Sequence, residues 1–206
     1  MNSTEKELIE KLRGFTTPEL CDGMGLYRSM DYQIGPRAGR EKICGRAFTV
    51  DVPSGEGGII ADAIEQLEEG DVLVIAGRGN CACSYWGDHR SICASMMKAE
   101  AVVIDGCCRD IEGLEEAGFP VFARGITPGT AGKSGAGRIG TPVVCGGAPV
   151  SPGDLIIGDR NGVVVIRPGE ADEVMERALD KRRRQEETIR RMKETGKVMP
   201  RILKSM

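Results

Sequence analysis

Aromatic residues, histidine and long apolar runs are all scarce in this chain of 206 residues. Because aromatic residues are only 4% of the sequence, the core must be built from Val, Ile, Leu, Ala and Met. No run approaches the roughly 18 apolar residues that a membrane helix needs. The N-terminal stretch MNSTEKELIEKLRGF lacks the apolar segment of a signal peptide, so we expect a cytoplasmic protein with no membrane partner.

An excess of positive charge is also missing, since the formal net charge is −3. We therefore do not expect a nucleic acid as partner, because no overall positive field attracts phosphate. The basic run KRRRQEETIRRMKETGK leaves RNA binding open as an alternative. Its interleaved acidic residues favour a solvated terminal helix, and packing on a neighbouring subunit is a further alternative.

The cysteines lack the spacing of a structural metal site. Cys81 and Cys83 flank one residue, Cys107 and Cys108 are adjacent, and the other four cysteines are isolated in sequence. None forms the paired C-x2-C arrangement of a zinc site, and His89 is the only histidine. Disulfides are not expected in a reducing compartment. Most of the eight cysteines are thus expected to be small buried apolar residues.

Short apolar runs alternate with helical patterns in the middle of the chain. Val72–Ala76 and Ala101–Ile104 are typical of buried strands, and PVFARG follows as a third. His89–Ala99 and Ile111–Ala117 have apolar residues at helical spacing. This order predicts successive βαβ units with parallel strands.

The flanking segments complete a mixed α/β domain. Upstream, residues 3–13 and 58–67 are predicted as helices and 45–53 as a strand, and Thr17 is predicted to cap a short helix. Downstream, residues 125–150 are loop-rich, 155–166 form a hairpin, and one long helix follows Pro168. We expect one α/β domain over residues 1–168, with mixed parallel and antiparallel strands, and a charged helical extension over 169–206.

Two loops at the carboxyl ends of predicted strands carry the candidate chemistry, because ligands bind there in open α/β sheets. One loop holds Arg109 and Asp110. A guanidinium such as that of Arg109 binds a carboxylate or enolate through two parallel hydrogen bonds. Asp110 offers the hard oxygen that Mg²⁺ or Mn²⁺ prefers. The alternative is a structural ion pair on the surface.

The other loop ends at Gly87-Asp88, before the predicted helix. A helix N-terminus presents free N–H groups to a carboxylate or phosphate, and the alternative is that Asp88 only caps the helix. His89 is either a general base or a surface residue. Cys107 and Cys108 are candidate nucleophiles, but no base lies near them in sequence. Gly106 is expected to permit a turn before them.

Taken together, these stretches resemble the RraA-like family, which includes the 4-hydroxy-4-methyl-2-oxoglutarate aldolases. The resemblance runs from about residue 16 to 168 and lies in TPELCDGMG, WGD before a helix, IDGCCRD, FPVFARGITP and DRNGVVVIRP. It implies a swivelling β/β/α domain assembled as trimers or pairs of trimers, with active sites between subunits. It also implies a lyase that needs Mg²⁺ or Mn²⁺, cleaves a 4-hydroxy-2-oxo acid to pyruvate and decarboxylates oxaloacetate.

The same resemblance assigns roles to individual residues. Gly87, Asp88, His89 and Arg90 would line the pyruvate-binding segment. Arg109 would contact the substrate, and Asp110 would bind the metal directly, with waters at its other positions. A water on the metal, oriented by Asp88, is the expected base for the 4-hydroxyl group.

One departure concerns substrate preference. The family often has two apolar residues where this chain has His89 and Arg90, which points to a more acidic or polar departing half. The alternative function is that of the family's namesake, a non-catalytic regulator of a ribonuclease.

Overall fold

The computed structural model describes residues 3–203 and is organised around one twisted mixed sheet. The strands are β1 Gly35–Ala38, β2 Ile43–Asp51, β3 Asp71–Trp86, β4 Ala101–Cys108, β5 Val121–Ile126, β6 Arg138–Ile139, β7 Val143–Cys145, β8 Ala148–Val150, β9 Leu155–Asp159 and β10 Gly162–Ile166. The helices are α1 Ser3–Leu12, α2 Thr17–Gly23, α3 Ile60–Ile64, α4 Asp88–Met96, α5 Ile111–Ala117 and α6 Ala171–Thr195.

The middle of the sheet is parallel, as predicted. Its order is β1-β5-β4-β3-β2-β9-β10, with β6 paired to β2, and the strands from β2 to β5 run in one direction. Helices α3, α4 and α5 connect these parallel strands. The outer strands β1, β9 and β10 pair antiparallel. The carboxyl ends of β3 and β4 therefore lie side by side.

Successive residues of β3 are buried on alternate faces of the sheet. Leu73 and Ile75 pack towards α3, α4 and α5, whereas Val72 and Val74 pack towards the β7–β8 hairpin. This arrangement gives two strand layers and one helix layer, which confirms the predicted β/β/α architecture. A third apolar cluster lies between β9–β10 and helices α1, α2 and α6.

Two strands are longer than predicted, and one helix is shorter. β3 continues through the predicted loop GRGNCACSYW to Trp86, with irregular pairing to β4, and β4 continues to Cys108. The predicted turn at Gly106 is therefore wrong. A Cβ there would lie 2.6 Å from the Tyr85 ring, so the glycine permits close packing. The helix predicted over residues 58–67 covers only Ile60–Ile64.

Helix α2 is capped by Thr16, not by Thr17 as predicted. The backbone N–H of Thr16 donates to Glu19 Oε2 at 2.8 Å, and its side chain accepts from the N–H of Glu19, which forms a capping box. Thr17 instead donates its N–H and hydroxyl groups to the Asp159 carboxylate, both at 2.7 Å. These bonds attach α2 to the β9–β10 turn.

The first turns of α6 pack on the domain, and the later turns are mostly exposed. Val174, Met175 and Ala178 are buried against the helical cluster. Further along, Arg190 and Arg191 both pair with Glu187 on the same helix. Their charges are thus balanced within the helix, which favours the solvated interpretation of the basic run. Within residues 3–203, no helix is both long and apolar enough to cross a bilayer.

An ion pair between Glu19 and Arg182 joins α2 to α6 and predicts acid sensitivity. The hydrogen bond from Arg182, at 2.7 Å, is the main cause that lowers the pKa of Glu19 from 4.5 to about 2. Because this pKa is depressed in the folded state, the stabilisation is complete above pH 4.5 and is lost as the pH falls towards 2.

We expect Glu19→Gln to lower the free energy of unfolding at neutral pH by about 1–2 kcal/mol, after allowance for solvent screening. Chemical denaturation at pH 7 and pH 3 measures this, and the difference from the parent should shrink at pH 3. Glu173→Gln removes an exposed pair with Arg177 and serves as the control. Equal losses in the two variants would contradict the prediction.

Candidate active site

A cleft of about 270 Å³ opens at the carboxyl ends of β3 and β4. The structure brings all six predicted site residues to its walls: Gly87, Asp88, His89, Arg90, Arg109 and Asp110. Ser84, Tyr85, Trp86, Thr130, Ala131 and Lys133 complete the lining. The volume lies just below the range of about 300–1,000 Å³ typical of drug-sized ligands, so the cleft suits a small ligand.

Pairing between β3 and β4 sets the two loops side by side. Trp86 lies opposite Cys108, and the N–H of Arg109 donates to the Trp86 carbonyl at 2.9 Å. The buried indole Nε1 of Trp86 donates to Ser91 Oγ at 2.7 Å, which fixes the start of α4 against the strand. Residues about twenty apart in sequence thus share one wall through main-chain hydrogen bonds.

Asp110 has a backbone conformation that is unusual for its position. It precedes α5 with φ 58° and ψ 49°, in the left-handed region, and its side chain makes no capping hydrogen bond. An aspartate at this position normally caps the helix. Its Oδ2 atom instead lies 3.1 Å from Arg109 Nε, and both side chains stay about 40% exposed. The carboxylate is therefore displayed to the cleft, and such strain is commonly found at functional sites.

Gly87 is the N-cap of α4, and Asp88 is the first residue of the helix, so the alternative of Asp88 as N-cap is wrong. Gly87 has extended backbone angles that any residue adopts. Glycine matters here for another reason, because a Cβ would overlap the Oδ2 atom of Asp110 and the carboxylate would have to shift. The carboxylate thus approaches the backbone of residue 87 more closely than a side chain would permit.

The Asp88 carboxylate lies beside both helices of the site. Its Oδ1 atom accepts the N–H of His89 at 2.6 Å, which satisfies one free donor of the α4 terminus. A Cβ at Gly113 of α5 would lie 2.9 Å from Asp88 Oδ2. Asp88 is therefore held between the N-termini of α4 and α5.

His89 and Arg90 are placed differently. The His89 side chain is exposed, with Nδ1 4.0 Å from Cys93 Sγ. Arg90 is partly buried and donates to the carbonyls of Gly57, at 2.8 Å, and Tyr85. Burial, followed by repulsion from Arg109, lowers the pKa of Arg90. Because arginine remains charged, this guanidinium adds a fixed positive charge to the cleft.

The adjacent cysteines are inside β4 rather than in a loop. Both Cys107 and Cys108 are buried, and burial raises the pKa of their thiols to about 12 and about 11. A thiol with so high a pKa is a poor nucleophile, because the thiolate is the reactive form. All eight cysteines are free thiols in the structure.

We predict that the double variant Cys107→Ala, Cys108→Ala keeps nearly all of the activity that the parent shows. The reason is that both side chains fill space in the sheet and neither thiol lines the cleft. Steady-state kinetics measure the effect on activity, and a melting curve measures the effect on stability. The two small cavities should lower the melting temperature. Loss of turnover in a variant that melts near the parent's temperature would contradict this prediction.

Sequence reasoning missed the third wall, which comes from the glycine-rich stretch 125–140. Ser84 of β3 donates its N–H to Gly129 at 3.0 Å and accepts the N–H of Ala131 at 3.2 Å. These bonds bring Thr130 and Lys133 to the cleft. The density of glycines was the only local signal, and it does not specify which strand the loop will meet.

The donor set of the cleft fits a hard divalent cation. Asp110 offers carboxylate oxygens next to a backbone that glycine keeps open. Within residues 3–203, no group of three or more His, Cys, Asp and Glu side chains could hold a metal ion. Few direct protein ligands suit Mg²⁺, which usually keeps several of its waters.

Comparison with known proteins identifies the family of the chain. The family model described as aldolase/RraA matches residues 17–165. The chain belongs to the aldolase/RraA family. A protein of Halalkalibacterium halodurans named "Putative 4-hydroxy-4-methyl-2-oxoglutarate aldolase" is 34% identical over 181 residues, with 88% of this chain and 86% of that protein covered.

Solved structures of RraA proteins share the fold. RraAS2 of Streptomyces coelicolor, described as an unusual member of the RNase ES inhibitor RraA family, superposes with a TM-score of 0.79. It is 28% identical, with 91% of this chain and 98% of that chain covered. The RNA-processing inhibitor RraA from a Thermus species is 25% identical, with a TM-score of 0.69 over 74% of this chain and 93% of that one.

Proposed function

We propose that this aldolase/RraA family member is a carbon–carbon lyase that releases pyruvate. Its substrate is a 4-hydroxy-2-oxo acid of the 4-hydroxy-4-methyl-2-oxoglutarate type, and its cofactor is a divalent cation, Mg²⁺ or Mn²⁺. The observation that carries this proposal is the convergence of Arg109, Asp110 and Asp88 on one small cleft beside the start of α4. The provisional aldolase names of relatives at 30–34% identity support it.

Arg109 binds and orients the 2-oxo acid in this mechanism. Its guanidinium donates to the keto oxygen and carboxylate of the pyruvate half, and the N–H groups at the start of α4 donate to the remaining carboxylate oxygen. Asp110 would hold the cation, which supplies Lewis-acid stabilisation of negative charge when bound. The pairing of Asp110 with Arg109 keeps both groups on the same side of the substrate.

Cleavage breaks the C3–C4 bond of the substrate. A water oriented by Asp88 takes the proton of the 4-hydroxyl group, the C4 oxygen becomes a carbonyl, and the bonding pair moves to the pyruvate half as an enolate. Arg109 stabilises that enolate because its donors face the oxygen where charge develops. That water then returns the proton to C3 of the enolate, which gives pyruvate. Oxaloacetate reaches the same enolate by loss of CO₂, so we expect decarboxylation at this site too.

Pyruvate release is the direct test. Purified protein is mixed with oxaloacetate or 4-hydroxy-4-methyl-2-oxoglutarate, and pyruvate is detected through lactate dehydrogenase and NADH. We expect NADH oxidation with Mg²⁺ or Mn²⁺ and none after chelation with EDTA. If neither substrate yields pyruvate with Mg²⁺ or Mn²⁺, the proposal is overturned.

A second candidate is regulation of a ribonuclease, which the RraA structures favour. Recovery of RNA-degradation proteins in a pull-down, together with inert chemistry, would support that function. The charged lining of the cleft favours the lyase, because binding a protein partner does not require it.

We also propose that the protein works as a homotrimer or hexamer with sites between subunits. Large apolar side chains at the surface, including Leu26, Tyr27 and Tyr32, are suited to a subunit interface. Light scattering coupled to gel filtration measures the assembly, and a monomer at micromolar concentration would contradict it.

A further inference from the structure

Arg90 is a cation without a neutralising partner. Among residues 3–203, no carboxylate pairs with its guanidinium, and its two hydrogen bonds go to the carbonyls of Gly57 and Tyr85. Arginine has five donors, so others remain for a ligand. The two carbonyl bonds fix the side chain in advance, which reduces the entropy lost when an anion binds.

Lys133 is a second cation in the lining of the cleft. It is exposed, and no carboxylate within the described part of the chain pairs with its ammonium group. It is positioned by the main-chain bonds that join Gly129 and Ala131 to β3. Lys133 is thus available to a ligand without first breaking an ion pair.

Arg90 and Lys133 lie where the active-site cleft meets a second cleft. Both residues line the active-site cleft and also the neighbouring cleft formed by Gly58, Ala61, Asp62, Ser134 and Gly135. Both positive charges therefore belong to the wall that the two clefts share. Asp62 lies in the second cleft and disfavours an anion farther along. A carboxylate that extends from the first cleft is therefore held at the junction.

The charges within the active-site cleft also favour binding of an anion near Arg90 and Lys133. Its lining carries the cations Arg90, Arg109 and Lys133 against the anions Asp88 and Asp110. Arg109 pairs with Asp110 and is committed to the pyruvate half in the proposed mechanism. Lys133 has no role in binding that half. Arg90 belongs to the predicted pyruvate-binding segment, but its guanidinium donates to the carbonyls of Gly57 and Tyr85 and keeps further donors free.

We propose that Arg90 and Lys133 form a second anion subsite, which binds the far carboxylate of the substrate and selects acids whose departing half is itself negatively charged. This inference rests on the proposed function for its substrate class, but its test measures binding and does not need turnover. Both are specificity-determining residues.

The test compares two acids that undergo no aldol cleavage, 2-oxoglutarate with a far carboxylate and 2-oxobutyrate without one. Calorimetry in Mg²⁺ should show 2-oxoglutarate binding about 10- to 100-fold more tightly, as charge-assisted hydrogen bonds provide. Lys133→Met should remove most of that preference and leave 2-oxobutyrate binding near the parent value. Arg90→Met should also weaken the preference. Lys133→Arg should restore it.

Arg138→Met is the matched control, since Arg138 lies in the same glycine-rich stretch, pairs with Asp51 and is outside the cleft. It should keep the parent's preference. Because Arg90 also supports the backbone of Gly57, Lys133→Met keeps the test valid if Arg90→Met fails to fold. Equal affinity of the parent for the two acids, or an unchanged preference in Lys133→Met, overturns the subsite. A protein that shows the preference but releases no pyruvate overturns only the proposed function.

Discussion

Asp110→Asn is expected to reduce kcat/KM for pyruvate release by about 10³-fold or more. Under the proposed function Asp110 would hold a divalent cation, which would supply several kcal/mol of charge stabilisation in the transition state. The substitution keeps the volume of the side chain and removes its negative charge. Asp110 makes no capping hydrogen bond to α5, so the helix should lose little when the carboxylate is replaced. The variant should therefore fold as the parent does and lose mainly its affinity for metal.

Metal titration by calorimetry, together with kinetics at saturating Mn²⁺, measures this effect. We expect the apparent Kd for the metal to rise and part of the lost rate to return at high Mn²⁺. Glu112→Gln, two residues farther along and exposed, removes the same charge outside the cleft and should leave kinetics unchanged. Parent-like turnover in Asp110→Asn at limiting metal would show that another residue holds the cation.

The parallel core and the choice of site residues were predictable because both depend on local patterns. Apolar runs such as Val72–Ala76 predict buried strands, and strands alternating with helices predict parallel pairing with loops at one edge. The edge then brings Asp88 next to Arg109, although twenty residues separate them. Their joint position in one cleft follows from topology alone.

The features that sequence could not supply depend on long-range packing. Nothing local indicates that β3 continues through a polar, glycine-containing stretch to Trp86, because that extension is stabilised by pairing with β4 and with the 129–131 loop. The left-handed conformation of Asp110 and the inward turn of Arg90 likewise follow from neighbours distant in sequence. Lys133 was missed for the same reason.

Gly87→Ala is expected to reduce kcat/KM by about 10²-fold, since a displacement of roughly 1 Å in a catalytic group has that effect. The added Cβ would overlap the Asp110 Oδ2 atom, so the carboxylate must move away from the backbone of residue 87. Backbone strain is not the cause, because the angles of Gly87 are extended and alanine adopts them freely. The expected loss is therefore in metal geometry and turnover, with the melting temperature close to the parent's.

The double variant Gly87→Ala, Asp110→Asn separates this mechanism from general damage to the start of α4. If Gly87 acts by making room for the Asp110 carboxylate, the second substitution should add far less in the presence of the first than it does alone, as expected for residues in direct contact. Independent, additive losses would instead indicate that alanine disturbs the N–H groups of α4. Gly169→Ala, at a glycine with no atom near its Cβ position, is the control and should retain parent activity.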